Sequence, residues 1–167
     1  MKVIGIIGAS ALGKGPWVET LIASFRQGGW SVSTIKRAPD GFDIDRPGKL
    51  SYARREAGCH EVMLVGDRRL VLMQEFRTEP APKLGTLIAR LDPVDLVVVE
   101  GFHDAAVPTI EVCAPAGGKV PRWPQNRHVA ALVSDAPIDA PLPVFAVADI
   151  PGLTGFVVGH LALSRRV

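Results

Sequence analysis

The run KVIGIIG, from Lys2 to Gly8, is apolar without alternation and passes directly into ASALGKGPW. A strand buried on both faces of a parallel sheet has this composition, whereas a half-exposed strand alternates. Beyond it come Gly8, four residues, Gly13 and Lys14, then a segment in which Trp17, Val18, Leu21, Ile22 and Phe25 recur at helical spacing. In a strand, glycine-rich turn and helix of this kind, backbone N–H groups converge on a phosphate at the positive end of the helix. Gly8, Ser10, Ala11, Leu12, Gly13, Lys14 and Gly15 are therefore the candidate phosphate-binding residues, with Lys14 reaching the β- and γ-phosphate oxygens as a point charge. The pattern G-x-x-x-x-G-K-[ST] is nevertheless incomplete. Gly15 stands where a hydroxyl normally ligates Mg²⁺, and Pro16 removes a backbone donor from the turn.

Pro16 suits a first helical turn, and Gly28-Gly29 suits a stop. SVSTIK then reads as a second strand, completing a βαβ unit. A polar loop follows from Arg37 to Gly48. KLSYARREAG reads as a helix ended by Gly58, and EVMLV and LVLMQEF, split by GDRR, read as an antiparallel pair. PKLGTLIARL is a short helix, DLVVVEG a fully apolar strand ending in an acid, and APAGGKVPRWPQNR a long loop rich in Gly and Pro. HVAALVS and PVFAV supply two more strands before a closing helix. The expected architecture is α/β: a three-layer sandwich in a single domain over residues 1–167, its sheet mostly parallel, with an antiparallel strand pair.

Three further clusters carry chemistry. Glu100 ends an apolar strand at the edge where open α/β sheets bind ligands, so it is a candidate to hold or order a Mg²⁺-bound water. Asp40, Asp43 and Asp45 lie in the polar loop; the last two share a face of an extended segment and are candidate metal ligands, although solvated loop acids account for them almost as well. No Glu stands at the spacing of a calcium-binding EF-hand. Lys36 and Arg37, at the end of the second strand, are candidate phosphate contacts, with an exposed strand end as the alternative. Ser134-Asp135 ends a later strand, where Asp135 would read a base or the pair would cap a turn. His103, three residues beyond Glu100, is a weaker catalytic candidate or a surface histidine.

Charge and composition narrow the partners. A net charge of +2, with 47% hydrophobic and 22% charged residues, describes a globular chain with no electrostatic case for nucleic acid. Aromatic residues are not interleaved with basic ones, which disfavours a stacking platform for single strands. Cys59 and Cys113 are far apart and form no C-x-x-C pair, so a reducing cytoplasm is expected rather than a disulfide framework or a zinc site. The N-terminus has the outline of a secretory signal, but its apolar run is short and leads into the Gly-Lys motif. GFVVGHLAL is too short to span a membrane, and no membrane association is expected.

Taken in order, these segments resemble the MobB family of GTP-binding proteins of molybdopterin-guanine dinucleotide biosynthesis. The resemblance rests on the glycine loop, on VSTIKRAPDGFDIDRPGKLSYARREAG with its Asp43, Asp45, Pro47, Gly48 and Lys49, on RLVLMQEF, on DLVVVEGF, and on PTIEV and RHVAALVSD. It implies a P-loop NTPase-like fold, a weak GTPase activity and a homodimer that assists a MobA-like nucleotidyltransferase. It makes Gly8, Gly13 and Lys14 phosphate-binding and Glu100 the Walker B-like acid. The departures fall at the polar tips. The family's Lys-Thr-Thr reads Lys14-Gly15-Pro16, and its histidine-rich patch reads Arg37-Ala38-Pro39-Asp40. Leu50 replaces an acid, and His103 replaces a basic residue. The expectation is an accessory protein that binds GTP or a related phosphate ligand with little or no hydrolysis. Two alternatives stand beside it: a Mg²⁺-dependent GTPase whose metal is held by Glu100, Asp43 and Asp45, and a nucleotide-free scaffold for molybdoenzyme-maturation proteins.

Overall fold

The computed structural model describes residues 1–8, 14–38, 41–114 and 120–164, with Lys14 described in its backbone alone. They fall into two compact units, one of residues 1–37 with 84–167 and one of residues 38–83. The first unit is built on a six-stranded sheet: β1 (Lys2–Gly8), β2 (Val32–Lys36), β5 (Leu96–Glu100), β6 (Thr109–Cys113), β7 (Val129–Ser134) and β8 (Val144–Ala146). Its order is β2-β5-β1-β6-β7-β8, and every neighbouring pair is parallel. The apolar runs of β1 and β5 occupy the middle, where both faces are covered, and Ile4, Ile6, Ile7 and Leu96 through Val99 are all buried. The less apolar β2 and β8 take the two edges.

Crossover handedness then decides which face each connection covers. The β1-to-β2 connection runs one way across the sheet, and all later strand-to-strand connections run the other way. Right-handed crossovers therefore put them on opposite faces. On the first face α1 (Lys14–Gln27) lays Trp17, Val18, Leu21 and Phe25 against Ile4, Ile6, Val98, Ile110 and Val112. The final helix α4 (Ile150–His160) returns to this face with Leu153 and Val157, and Thr154 donates a hydrogen bond to the Ser24 hydroxyl of α1 (2.9 Å). Asp149 caps α4 by accepting the Gly152 N–H at 3.0 Å. The Trp17 indole N–H donates to the Val147 carbonyl (3.0 Å), tying the start of α1 to the chain entering α4.

The opposite face is covered differently. Ile7, Cys113, Val129 and Leu132 pack there against Trp123, Ile138, Ala140 and Leu142, which belong to irregular crossover segments rather than to helices. β6 is the strand that hydropathy patterning does not announce, because its five residues carry Glu111 at the centre and follow Pro108. Glu111 is only 3% exposed. Its two carboxylate oxygens accept the backbone N–H groups of Arg122 and Trp123, each at 2.7 Å. These charge-assisted bonds satisfy the buried acid and pin the crossover to the sheet. Burial, reinforced by the charge of Glu111, pushes the Cys113 thiol from 9.0 up to about 11, which leaves it protonated and a poor nucleophile.

The second unit holds α2 (Leu50–Glu56) and the antiparallel pair β3 (Glu61–Gly66) and β4 (Arg69–Gln74), as the sequence pattern implies. The turn after α2 passes through Gly58 at φ +103°, a conformation suited to glycine at a helix end. Val62 and Met73 lie buried opposite one another, whereas Met63, Val65, Leu70 and Leu72 share the other hairpin face and are exposed. Also among the described residues is the short α3 (Leu84–Ile88) of the first unit. No described helix is long and apolar enough to cross a membrane.

Truncating Glu111 to Ala leaves two buried N–H groups without an acceptor. We expect a loss of about 2–4 kcal/mol in urea unfolding. A loss below about 1 kcal/mol would show that the crossover does not depend on this acid.

Candidate functional site

All six parallel strands end at one edge of the sheet, and β1 sits where the connections change face. In open α/β sheets this is the crevice that takes a ligand. The chain leaves β1 through Gly8, at φ +109° and paired with Val112 of β6; a Cβ at Gly8 would run into the Val112 carbonyl. Only glycine fits there, so the first position of the motif is demanded by the backbone itself. Ser10, Ala11, Leu12 and Gly13, the Lys14 side chain and Asp40 lie outside the described residues.

On the other side of β1, β5 delivers Glu100. It is half-buried and stands in the ladder beside Ile6 of β1 and Lys36 of β2. Gly101 follows at φ +80°, its N–H donating to the Ile6 carbonyl at 3.3 Å; a side chain there would press on Arg37. The Arg37 N–H donates to the Glu100 carbonyl (2.9 Å), and its guanidinium lies 5.8 Å from the Phe102 ring centroid, a cation–π distance. Two cations and one acid, Lys36, Arg37 and Glu100, thus gather at the strand ends next to the glycine turn. Further along the edge, the buried Ser134 hydroxyl accepts the Ala136 N–H (3.1 Å), which gives it the turn-capping role and leaves Asp135 exposed.

At the start of α1, Pro16 lies in the first turn, where its missing N–H breaks no helical bond. Gly15 faces open space: a Cβ there would meet nothing within 4 Å among the described residues. Packing therefore does not exclude a hydroxyl-bearing residue at position 15.

Asp43 and Asp45 belong to the second unit, where they converge on Arg55 of α2. Arg55 makes a bidentate pair with Asp43 (3.2 and 3.1 Å) and lies 3.7 Å from Asp45 and 3.4 Å from Glu75. Asp45 also accepts from the Ser51 hydroxyl at 2.9 Å and from the Arg46 N–H at 3.0 Å. Among the described residues no group of three or more His, Cys, Asp or Glu side chains has the arrangement of a metal site. Arg55 carries no local sequence signal, since it meets its acids only after the chain has turned through a loop and a helix.

Comparison with known proteins gives this arrangement a lineage. The profile of the family described as MobB, molybdopterin guanine dinucleotide synthesis protein B, matches residues 3–135. The chain belongs to the MobB family. It is 32% identical over 152 residues to the molybdopterin-guanine dinucleotide biosynthesis adapter protein of Escherichia coli K12, covering 89% of this chain and 87% of that protein. To the protein of the same name from Haemophilus influenzae it is 30% identical over 163 residues, covering 96% and 90%. The fold is that of the crystal structure of molybdopterin-guanine biosynthesis protein B, with a TM-score of 0.75 at 23% identity over 95% and 99% of the two chains. Bacillus subtilis MobB superposes with a TM-score of 0.74 at 19% identity, over 96% and 98%. Gly8 and Gly101 have backbone geometry that calls for glycine.

Arg55 is 14% exposed in its side chain and Asp45 6%. Arg55→Ala would leave the carboxylates of Asp43, Asp45 and Glu75 near one another without a cation, and we expect a loss of about 3 kcal/mol in thermal unfolding. Asp43→Ala, at the exposed arm of the network, should cost under about 1 kcal/mol. Equal costs for the two variants would contradict this division of roles.

Proposed function

We propose that this protein is an adapter in molybdopterin-guanine dinucleotide biosynthesis that binds GTP or a related phosphate ligand at the β1 turn with little or no hydrolysis. The observation that carries the reading is the glycine-dependent exit of β1 at Gly8 beside the Glu100 strand end, at the point where the sheet connections change face. The adapter role is the one named for the relatives at 30–32% identity. Lys14 and the loop amides of residues 10–13 would hold phosphate, with Lys36 and Arg37 supplying further positive charge. Glu100 would be the acid that meets a Mg²⁺ there. Position 15 supplies no hydroxyl, and Asp43 and Asp45 are engaged by Arg55; both features favour binding without efficient turnover over a Mg²⁺-dependent GTPase. When bound, GTP contributes a charged triphosphate; the chain's own groups recognise and orient it rather than cleave it.

The expected partner is a MobA-like nucleotidyltransferase. A homodimer would bury the apolar hairpin face of Met63, Val65, Leu70 and Leu72, a cluster too exposed for an isolated two-stranded sheet to hide. The free thiols Cys59 and Cys113 suit a reducing cytoplasm. Sedimentation at micromolar protein should give the dimer mass, and a monomer would remove self-association from the proposal.

Titrating GTP with and without Mg²⁺ tests the site. We expect binding that changes less than about threefold on removing metal, with no turnover, and a loss of about tenfold or more in Lys14→Ala. Gly15→Thr with Pro16→Thr should restore dependence on Mg²⁺, because the open space at Gly15 admits the side chain. Unchanged affinity in Lys14→Ala would refute this loop as the phosphate site. Metal-dependent turnover in the unmodified protein would favour the GTPase, and no binding at all the scaffold.

A further inference from the structure

Residues of the β5-to-β6 and β6-to-β7 connections line an open cavity of about 480 Å³, a size that accommodates a small molecule. Its lining includes His103, Asp104, Arg122, Asn126, Arg127 and His128. None of Gly8, Lys36, Arg37, Glu100 or Asp135 borders it among the described residues.

Its walls are held in place from beneath. The Arg122 N–H is fixed by the buried carboxylate of Glu111, and the next residue, Trp123, packs into the apolar cluster of Ile7, Cys113, Val129 and Leu132. The Asn126 side-chain oxygen accepts the His128 N–H (3.0 Å), and the His128 carbonyl accepts the Thr109 N–H (2.8 Å). Two guanidiniums and the His128 imidazole therefore come from a braced segment, while His103 and one carboxylate, Asp104, come from the β5-to-β6 connection. Neither the Arg122 nor the Arg127 guanidinium has a carboxylate partner within ion-pair distance among the described residues. The two exposed arginines place positive charge at this cavity, which favours an anion there. Guanidinium forks match phosphoryl oxygens, and imidazole and amide groups add hydrogen bonds around them.

We propose that this cavity binds the phosphate or diphosphate group of a small molecule, with Arg122 and Arg127 as the charged contacts and His103 and His128 as hydrogen-bonding walls. The proposal does not rest on the β1 turn, and its test is made with that turn disabled. In full-length Lys14→Ala protein, calorimetric titration with inorganic pyrophosphate should still show one binding event. Adding Arg122→Gln and Arg127→Gln should weaken that event by about tenfold or more, since each substitution removes charge-assisted hydrogen bonds. Arg127→Gln alone, on an exposed side chain, should weaken it by at least about threefold, and serves as the measurement if the double variant fails to fold. Repeating the titration with GDP separates the sources: tighter binding than pyrophosphate assigns a nucleotide, and equal binding assigns the phosphate group alone. The proposal is overturned if Lys14→Ala protein binds no pyrophosphate, or if the folded arginine variants bind with less than the stated loss.

Discussion

The pairing of β1 on both of its edges is the constraint on which the rest of the first unit depends. Its ladder with β5 sets Ile6 beside Glu100, and its ladder with β6 sets Gly8 beside Val112. Because both neighbours are parallel, the carboxyl ends of all three strands emerge at the same edge of the sheet. The close approach of Gly8 to the Val112 carbonyl is the steric consequence of that central position. A side chain at Gly8 would disturb the ladder and the turn at once, so fold and candidate site share one requirement.

Carboxylates hold the irregular parts of both units. In the first, Glu111 takes two backbone N–H groups and fastens a crossover that has no helix with which to satisfy itself. In the second, Asp43, Asp45 and Glu75 gather around Arg55 and organise the polar loop and the start of β3–β4. Such bonds are directional, which apolar packing is not, and they specify one path for a chain rich in Gly and Pro. The two systems differ in kind: a buried anion answered by backbone dipoles, and a cation shared among acids of graded exposure.

Much of the fold was legible because burial writes itself into pattern. VIGII and LVVV are apolar throughout because both faces of the central sheet are covered, and the face of α1 follows from Trp17, Val18, Leu21 and Phe25 at helical spacing. The antiparallel pair and the closing helix were legible for similar reasons. β6 was not, since Glu111 interrupts its run and its partners, Arg122 and Trp123, arrive from a distant loop. At the site, Gly8 and Glu100 were readable from their positions after buried strands. The engagement of Asp43 and Asp45 with Arg55 was hidden, because alternation along an extended segment says that two acids share a face and nothing about what meets it.

By itself the sequence determined the α/β class, the βαβ start with its glycine turn and, through the segments from IKRAPDGFDIDRPGK to the strand ending in Glu100, the MobB lineage. These are local or ordered features, and local sterics and hydropathy are sufficient to express them. Only the tertiary structure decided which acids answer which cations, that Trp123, Ile138, Ala140 and Leu142 of irregular crossovers pack against Ile7 and Leu132, and that Arg122, Arg127, His103 and His128 line a common cavity. Those outcomes depend on residues far apart in the chain, brought together by strand order and crossover handedness, for which a linear spacing carries no signal.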